Sequence, residues 1–275
     1  MLIFHPRALL YSLTWFGDSG FLLPAAMWIA VWLGLRPATR PSAVLWILLF
    51  GLGSSLILVS KLAFLGWGLG SATFNFTGVS GHTAISASVW PVACWLAVSR
   101  WEHRVRVTAA ALGCLFALLI GLTRVALEAH SWSEVMIGYA VGFAVSGAFL
   151  WQQHRLPHPR VRWAVVLISL TTPLLLLEPG TPAPTQALLE RIAVHLAGID
   201  RPYTREDLLL GASPRVSVSD TPGTPGSHPS FLHIPTHGPK TIIRALSFRR
   251  EAWMQAPLLR RCPPSLPACP VASAS

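Results

Sequence analysis

Six long stretches of this chain contain no charged residue, and this feature restricts the fold more than any other. They cover residues 19–35, 43–60, 83–99, 107–123, 135–151 and 163–177. Each is close to the roughly 17 residues that a helix needs to cross a bilayer, and the last is the shortest and contains Pro173. A membrane barrel would instead show alternating strands of about 10 residues. The sequence therefore predicts an all-α, polytopic membrane bundle of about six transmembrane helices.

Composition supports the membrane class. The chain is 52% hydrophobic and 12% charged, whereas about 25% of the residues of a soluble domain are charged. Its net charge of +10 is compatible with nucleic-acid binding. We expect a lipid bilayer and no nucleic acid, because most basic residues lie in short loops or in a Pro-rich tail. No cleavable signal peptide is expected, since Asp18 lies within the first 20 residues.

The charged residues of the loops predict an orientation. One side carries Arg in the loops 36–42, 100–106 and 152–162, and the other side, before the tail, carries only Arg7, Lys61 and Arg124. The positive-inside rule makes the first side cytoplasmic. The polar segments around Ser80 and His130 then lie together on the outer face of an inner (plasma) membrane, towards the periplasm or outside.

Composition also divides the chain along its length. Residues 1–178 form a six-helix membrane domain, residues 179–212 hold a short amphipathic helix and a connecting segment, and residues 213–275 form a Pro-rich tail that we expect to be disordered. The amphipathic helix either lies on the membrane surface or packs against the bundle. Cys94 and Cys114 are expected to be packing residues. The sequence does not decide whether Cys262 and Cys269 form a disulfide.

The first polar segment lies between two apolar stretches and contains Arg124, His130 and Glu134. If a helix begins near residue 131, the i, i+4 spacing places His130 beside Glu134. A carboxylate on one ring nitrogen fixes the tautomer and leaves the other nitrogen able to attack. A guanidinium offers paired donors to phosphate oxygens. Taken singly, these residues are better explained as interfacial hydrogen-bonding or helix-anchoring groups.

The second polar segment reads Ser80-Gly81-His82 and precedes the third apolar stretch. The backbone N–H groups at a helix start favour an anion, Ser80 adds a hydroxyl, and Gly81 permits close approach. His82 is a candidate proton donor to a departing oxygen. Lys61 closes the second apolar stretch and begins the outer loop, where it is either a phosphate ligand or an interfacial anchor. The alternative for the Ser80 segment is an ordinary helix cap with an incidental histidine.

Taken together, these segments resemble the PAP2 (type 2 phosphatidic acid phosphatase) superfamily, which includes lipid phosphatases and vanadium haloperoxidases. Its pattern has three parts: K-x6-R-P, P-S-G-H and S-R-x5-H-x3-D. The second part is similar to residues 79–82, the third is similar to residues 123–134, and the resemblance covers roughly residues 61–139.

The resemblance implies a membrane hydrolase that acts on a lipid phosphate or diphosphate and requires no metal or cofactor. His130 would be the nucleophile, Glu134 would orient it, and His82 would be the general acid and later the base. The remaining motif residues would bind the phosphate: Lys61, Ser80, Gly81 and Arg124.

Four departures from the family pattern bear on these expectations. Val79 replaces Pro, Thr123 replaces Ser, and Glu134 replaces Asp. The largest departure is in the first motif, where Gly68 and Leu69 replace Arg and Pro. Either the substrate places less charge there, another base substitutes, or activity is weak. A catalytically weak or inactive protein that binds lipid headgroups or partners is the alternative to an enzyme. Vanadate-dependent halide oxidation and transport fit the sequence less well.

Overall fold

The structure is a computed structural model that describes residues 6–153, Thr171 and residues 185–212. All of them belong to one compact unit, Met1–Val218. The described elements are helices, apart from an isolated bridge between Ser71 and Phe76. The α-helices are α1 (Pro6–Trp15), α2 (Ser19–Gly34), α3 (Arg40–Trp67), α4 (Gly81–Ala97), α5 (His103–Ala126), α6 (Trp132–Gln152), α7 (Thr185–Ala197) and α8 (Arg205–Leu210), with a 3₁₀ turn at Pro37–Thr39 before α3.

Helix α4 is the centre of the bundle. It packs most extensively against α5 and α6 and also contacts α2 and α3. Small residues on the neighbouring helices allow this close packing: a Cβ at Gly113 of α5 would lie 2.7 Å from the carbonyl oxygen of Trp90 in α4. Because most of its side chains are buried by other helices, α4 positions its first turn, which carries His82, with little freedom.

The outer helices expose apolar side chains. Four helical stretches are long and apolar enough to cross a bilayer: Leu9–Gly34, Pro37–Trp67, His103–Ala126 and Trp132–Gln152. On α3 and α5, leucines such as Leu48, Leu52 and Leu112 are more than 60% exposed. An extended exposed apolar surface of this kind is suited to hydrocarbon rather than water. The all-helical membrane class is therefore confirmed.

The predicted number of spans is confirmed only in part. The first five predicted stretches coincide with α2 to α6, but α4 has only 17 residues and is not among the four stretches named above. The sixth, 163–177, lies outside the described residues except for Thr171. The predicted tail and the cysteines at 262 and 269 also lie outside them. The count of six therefore stays a prediction, as does the division at residues 178 and 212.

Helix α7 is the amphipathic helix predicted after the membrane domain. It packs on the end of α3, where a Cβ at Gly66 would lie 3.3 Å from the Cβ of Ala197. Its buried side is formed around Ala193, while Leu188 and Leu196 stay exposed. Packing against the bundle and an exposed apolar stripe thus occur together, so the two predicted alternatives do not exclude each other.

An aromatic cluster fixes the turn between α1 and α2. Phe16 of this turn and Phe21 of α2 pack on Trp90 of α4, and Phe16 and Trp90 also contact Phe116 of α5. The indole N–H of Trp90 donates to the carbonyl oxygen of Phe16 at 3.2 Å. Residue 18 follows directly, so this packing positions Asp18 beside the start of α4.

Candidate active site

The segment 79–82 is held by backbone hydrogen bonds to two neighbouring helices. The N–H of Val79 donates to the hydroxyl of Ser60 in α3 at 3.1 Å. The N–H of Ser80 donates to the carbonyl oxygen of Glu134 in α6 at 3.2 Å. Helix α4 begins at Gly81, so His82 lies in its first turn. The sequence had instead predicted that His82 precedes the helix. The segment is thereby fixed next to the start of α6.

Glu134 is fully buried in the first turn of α6, and its carboxylate is bonded on all sides. Oε1 accepts from the backbone N–H and the hydroxyl of Thr77 at 2.8 and 2.6 Å. Oε2 pairs with Nδ1 of His130 at 2.7 Å and accepts from the N–H of Ser131 at 3.1 Å. Arg205 donates to both oxygens at 2.8 and 2.9 Å. A carboxylate with this many partners has a fixed orientation.

His130 lies in the short turn between α5 and α6. Glu128 has a positive φ of 54°, and the N–H of His130 donates back to the carbonyl oxygen of Arg124 at 3.2 Å. Ser131 then caps α6 in a capping box with Glu134. The predicted i, i+4 pair between His130 and Glu134 is confirmed.

The environment of His130 favours the neutral form of its ring. Burial lowers the pKa of His130 below its ordinary value of 6.5, although the hydrogen bond with Glu134 opposes that shift. The nearby cations Arg124 and Lys61 lower the pKa further. A neutral ring whose Nδ1–H is donated to Glu134 carries its lone pair on Nε2. The ring can therefore act through Nε2 as a nucleophile or a base.

His82 has a carboxylate partner that the sequence did not predict. Its Nε2 lies 3.4 Å from Oδ2 of Asp18. Asp18 is the N-cap of α2, and its side chain also accepts from the N–H of Gly20 at 2.7 Å. His82 is within electrostatic range of Arg124 and His130. An acidic residue within the hydrophobic N-terminal region was the only sequence signal for Asp18, since its contact with His82 depends on the fold.

Arg124 lies in the last turn of α5, within electrostatic range of both histidines. Its Nη1 donates to the hydroxyl of Thr14 at 3.1 Å, and Asp18 is within electrostatic range. Its Nε is buried and has no hydrogen-bond partner in the part of the chain that the structure describes. A buried guanidinium donor without a partner is suited to an anionic ligand.

Lys61 lies inside α3, which continues for six more residues to Trp67. The prediction that Lys61 begins the outer loop is therefore wrong. Its Nζ would lie 3.9 Å from a Cβ at Gly81, and it approaches Oε1 of Gln186 in α7 at 3.5 Å. It is also within electrostatic range of Arg124 and Glu134. Lys61 thus projects its charge towards the start of α4.

Ser80 occupies the N-cap position of α4 without making a side-chain cap bond. Its hydroxyl is fully buried and lies 2.9 Å from the hydroxyl of Thr83. Its predicted phosphate-binding role stays a prediction, as do the roles of the other motif residues. What the structure shows is that contacts and electrostatic interactions link the predicted residues into one cluster: Lys61, Ser80, Gly81, His82, Arg124, His130 and Glu134.

Arg205 is the second residue that the sequence did not predict. It lies in α8, 71 positions after Glu134, and no local spacing connects the two. Among residues 6–153 and 185–212, no group of three His, Cys, Asp or Glu side chains is placed to hold a metal ion. The expectation that no cofactor is needed stays untested.

Comparison with known proteins identifies the class. The model of the PAP2 superfamily matches residues 62–157, and the chain belongs to this superfamily. It is also similar to an uncharacterized 22.5 kDa protein in the cps region of Klebsiella pneumoniae, with 42% identity over 199 residues that cover 71% of this chain and 95% of the relative. No solved structure matches the chain significantly. Family membership and the apolar helices fit a membrane phosphatase.

Proposed function

We propose that this protein is an integral membrane phosphatase that hydrolyses a lipid phosphate or diphosphate through a phosphohistidine on His130. The observation that carries the proposal is the 2.7 Å bond between Nδ1 of His130 and the buried Glu134. It leaves Nε2 of a neutral ring free, within electrostatic range of Lys61 and Arg124. This combination supplies a nucleophile next to cations that can stabilise phosphate oxygens.

The proposed reaction has two steps. Nε2 of His130 attacks phosphorus, the bond between phosphorus and the leaving oxygen breaks, and His82 donates a proton to that oxygen. Water then attacks phosphorus, His82 takes up a proton from it, and the bond between phosphorus and nitrogen breaks to release phosphate. Asp18 supports this role of His82, because a carboxylate near the ring stabilises its protonated form.

Phosphate binding is assigned to the groups around the histidines. The Nε of Arg124 has no hydrogen-bond partner among the described residues, and the ammonium of Lys61 lies beside Gly81. The N–H groups in the first turn of α4 point towards its N-terminal end, where an anion is favoured. Groups on α3, α4 and α5 would thus stabilise the negative charge on the phosphoryl group as it is transferred.

The helices that hold the site support a proposal for its position in the membrane. The polar cluster lies at the C-terminal ends of α3 and α5 and the N-terminal ends of α4 and α6. In a bilayer this end of the bundle is at headgroup level, so a lipid substrate can keep its tails in hydrocarbon. The Arg-rich loops at the other end favour the extracytoplasmic face of the plasma membrane for the site.

The test is phosphate release from detergent-solubilised protein. A substrate panel comprises undecaprenyl diphosphate, phosphatidic acid, phosphatidylglycerophosphate and a lipid A phosphate. We expect release from at least one lipid, abolished in His130→Ala and unchanged in His195→Ala, which alters an exposed histidine on α7. Full activity of His130→Ala would overturn the mechanism.

A non-catalytic headgroup-binding protein is the second candidate. The observation that favours it is Gly68, which stands where the family pattern has an arginine, and whose space is filled by the ring of Tyr203. Lipid binding that survives His130→Ala, together with no turnover by the parent protein on any of the four lipids, would favour this candidate over the enzyme.

A further inference from the structure

We infer that Arg205 of α8 is a positioning residue that holds Glu134 and so keeps His130 ready to attack. The inference rests on the proposed function and adds a residue that lies outside the family-matched region 62–157. No part of the family pattern described above includes it.

Arg205 contacts both oxygens of the carboxylate that pairs with His130. Its Nη2 donates to Oε1 and Oε2 of Glu134 at 2.8 and 2.9 Å and to the hydroxyl of Thr77 at 3.2 Å. Its Nη1 donates to the carbonyl oxygen and the side-chain oxygen of Asn75 at 3.0 and 2.5 Å. One guanidinium thus joins α8, the loop before α4 and the carboxylate of Glu134.

Charge explains why Glu134 needs this partner. A fully buried carboxylate is unfavourable without a cation. Within the described residues, Arg205 is the permanently charged group that forms an ion pair with Glu134. Without Arg205, the nearest way to neutralise Glu134 is a proton on His130. A protonated ring has no lone pair with which to attack phosphorus. Arg205 therefore lets Glu134 stay ionised while His130 stays neutral.

Besides Arg205, the site contains other titratable and charged groups. They come from every helix that faces the site: Asp18 of α2, Lys61 of α3, His82 of α4, Arg124 of α5 and Glu134 of α6. Because Lys61 and Arg124 already disfavour a proton on His130, the loss of a third cation would act through Glu134.

Local hydrogen bonds and an ion pair order the segment that carries Arg205 and attach it to the end of α3. Asp207 forms a capping box with Thr204 at the start of α8 and pairs with Arg201 at 2.6 and 2.8 Å. The Arg201 guanidinium lowers the pKa of the Asp207 carboxyl, so this pair is fully charged at neutral pH. The N–H of Tyr203 donates to the carbonyl oxygen of Leu65 at 2.9 Å, which attaches the segment to the end of α3.

The segment that carries Arg205 docks at Gly68, the position where the first family motif has an arginine. Gly68 has a φ of 68°, which disfavours any side chain, and a Cβ there would lie 2.8 Å from the ring of Tyr203. An arginine at position 68 and the docked segment exclude each other. The chain therefore lacks the motif arginine and brings Arg205 to the same neighbourhood, where it binds Glu134 instead of pointing a free guanidinium at a phosphate.

Full-length Arg205→Ala and Arg205→Lys test the inference, with Arg191→Ala on the exposed side of α7 as the matched control. We expect Arg205→Ala to lower kcat by about 10-fold or more while KM changes little, a smaller effect than the roughly 100-fold or more that an acid–base group itself contributes. Arg205→Lys should restore part of kcat. An increase in KM with unchanged kcat would show phosphate binding and overturn the positioning role.

A second readout does not depend on turnover. Diethylpyrocarbonate reacts with neutral imidazole, so the pH dependence of His130 labelling, read by peptide mass spectrometry, reports its protonation. In Arg205→Ala the midpoint should move upward by about one pH unit, as for loss of a charge at this range. An unchanged midpoint would overturn the inference. A shifted midpoint without lipid hydrolysis by the parent protein would reject the proposed function. It would still support the conclusion that Arg205 positions Glu134 and His130.

Discussion

The backbone N–H of Ser80 donates to the backbone carbonyl oxygen of Glu134 at 3.2 Å, which joins the two polar segments directly. The side chain of Glu134 repeats the connection by accepting two hydrogen bonds from Thr77. One residue of α6 thus orients His130 and also fixes the loop that leads to His82. Relative placement of the two histidines therefore depends on Glu134.

Replacing Glu134 with Gln keeps the shape and removes the charge. The amide cannot stabilise the cationic ring that forms as His130 attacks, and Arg205 loses its ionic partner. We expect kcat to fall by about 100-fold or more, within the range for loss of an acid–base partner. Glu134→Asp, which matches the family pattern, is the control and should retain more activity than Gln in a phosphate-release assay. Equal activity of Glu134→Gln and the parent would reject the role of the charge.

Asp18→Asn tests the partner of His82. Asn is as good an N-cap as Asp, so α2 should keep its start while His82 loses the nearby carboxylate. A general acid matters most for a poor leaving group. Hydrolysis of a lipid phosphate should therefore fall by roughly 10-fold or more, while p-nitrophenyl phosphate, whose leaving group needs little protonation, is affected less. An equal loss on both substrates would indicate a purely structural role for Asp18.

Gly68→Arg introduces the arginine of the family pattern at a position where the backbone and Tyr203 disfavour a side chain. A side chain at the positive φ of Gly68 costs about 1–3 kcal/mol, and it collides with Tyr203. We expect lower thermal stability and lower activity than in the parent. The double variant Gly68→Arg, Tyr203→Ala should recover part of the stability, measured by thermal unfolding in detergent. A gain in activity from Gly68→Arg alone would contradict the explanation for the missing arginine at position 68.

The pH dependence of kcat/KM should show the lowered pKa of His130. Burial disfavours the imidazolium, so the ring loses its proton at a pH below 6.5, its ordinary value. Because the attack needs the neutral ring, activity should rise with pH through a midpoint below 6.5, and it should fall again at higher pH as His82 loses the proton that it donates. The profile measured from pH 4 upward, on protein first shown to stay folded, checks this. An acid-side midpoint above 6.5 would mean that His130 is protonated more readily than its burial allows.

The sequence predicted the parts of the site that depend on local spacing or on topology. The pair of His130 and Glu134 follows from helix periodicity. The common location of both segments at one end of the bundle follows from antiparallel helices. Lys61 was misplaced because an apolar stretch need not end where its helix ends: α3 continues to Trp67, and its left-handed cap is Gly68.

Asp18 and Arg205 could not be predicted for a different reason. Each reaches the site across a turn or a docked segment far away in sequence, and no periodicity records such a contact. Arg205 depends on the fit between Tyr203 and Gly68, which is a property of packing. The absence of the motif arginine was visible in the sequence, but the residue that now occupies its neighbourhood was not.

The most direct test of the central claim is to trap the phosphoryl group on His130. Protein is mixed with the radiolabelled lipid substrate and quenched in base, where phosphohistidine survives, and the labelled peptide is identified by mass spectrometry. We predict that label appears on the peptide containing His130, is lost in acid, and is absent from His130→Ala. Rapid turnover with no label on this peptide, or label that persists in His130→Ala, would contradict the account.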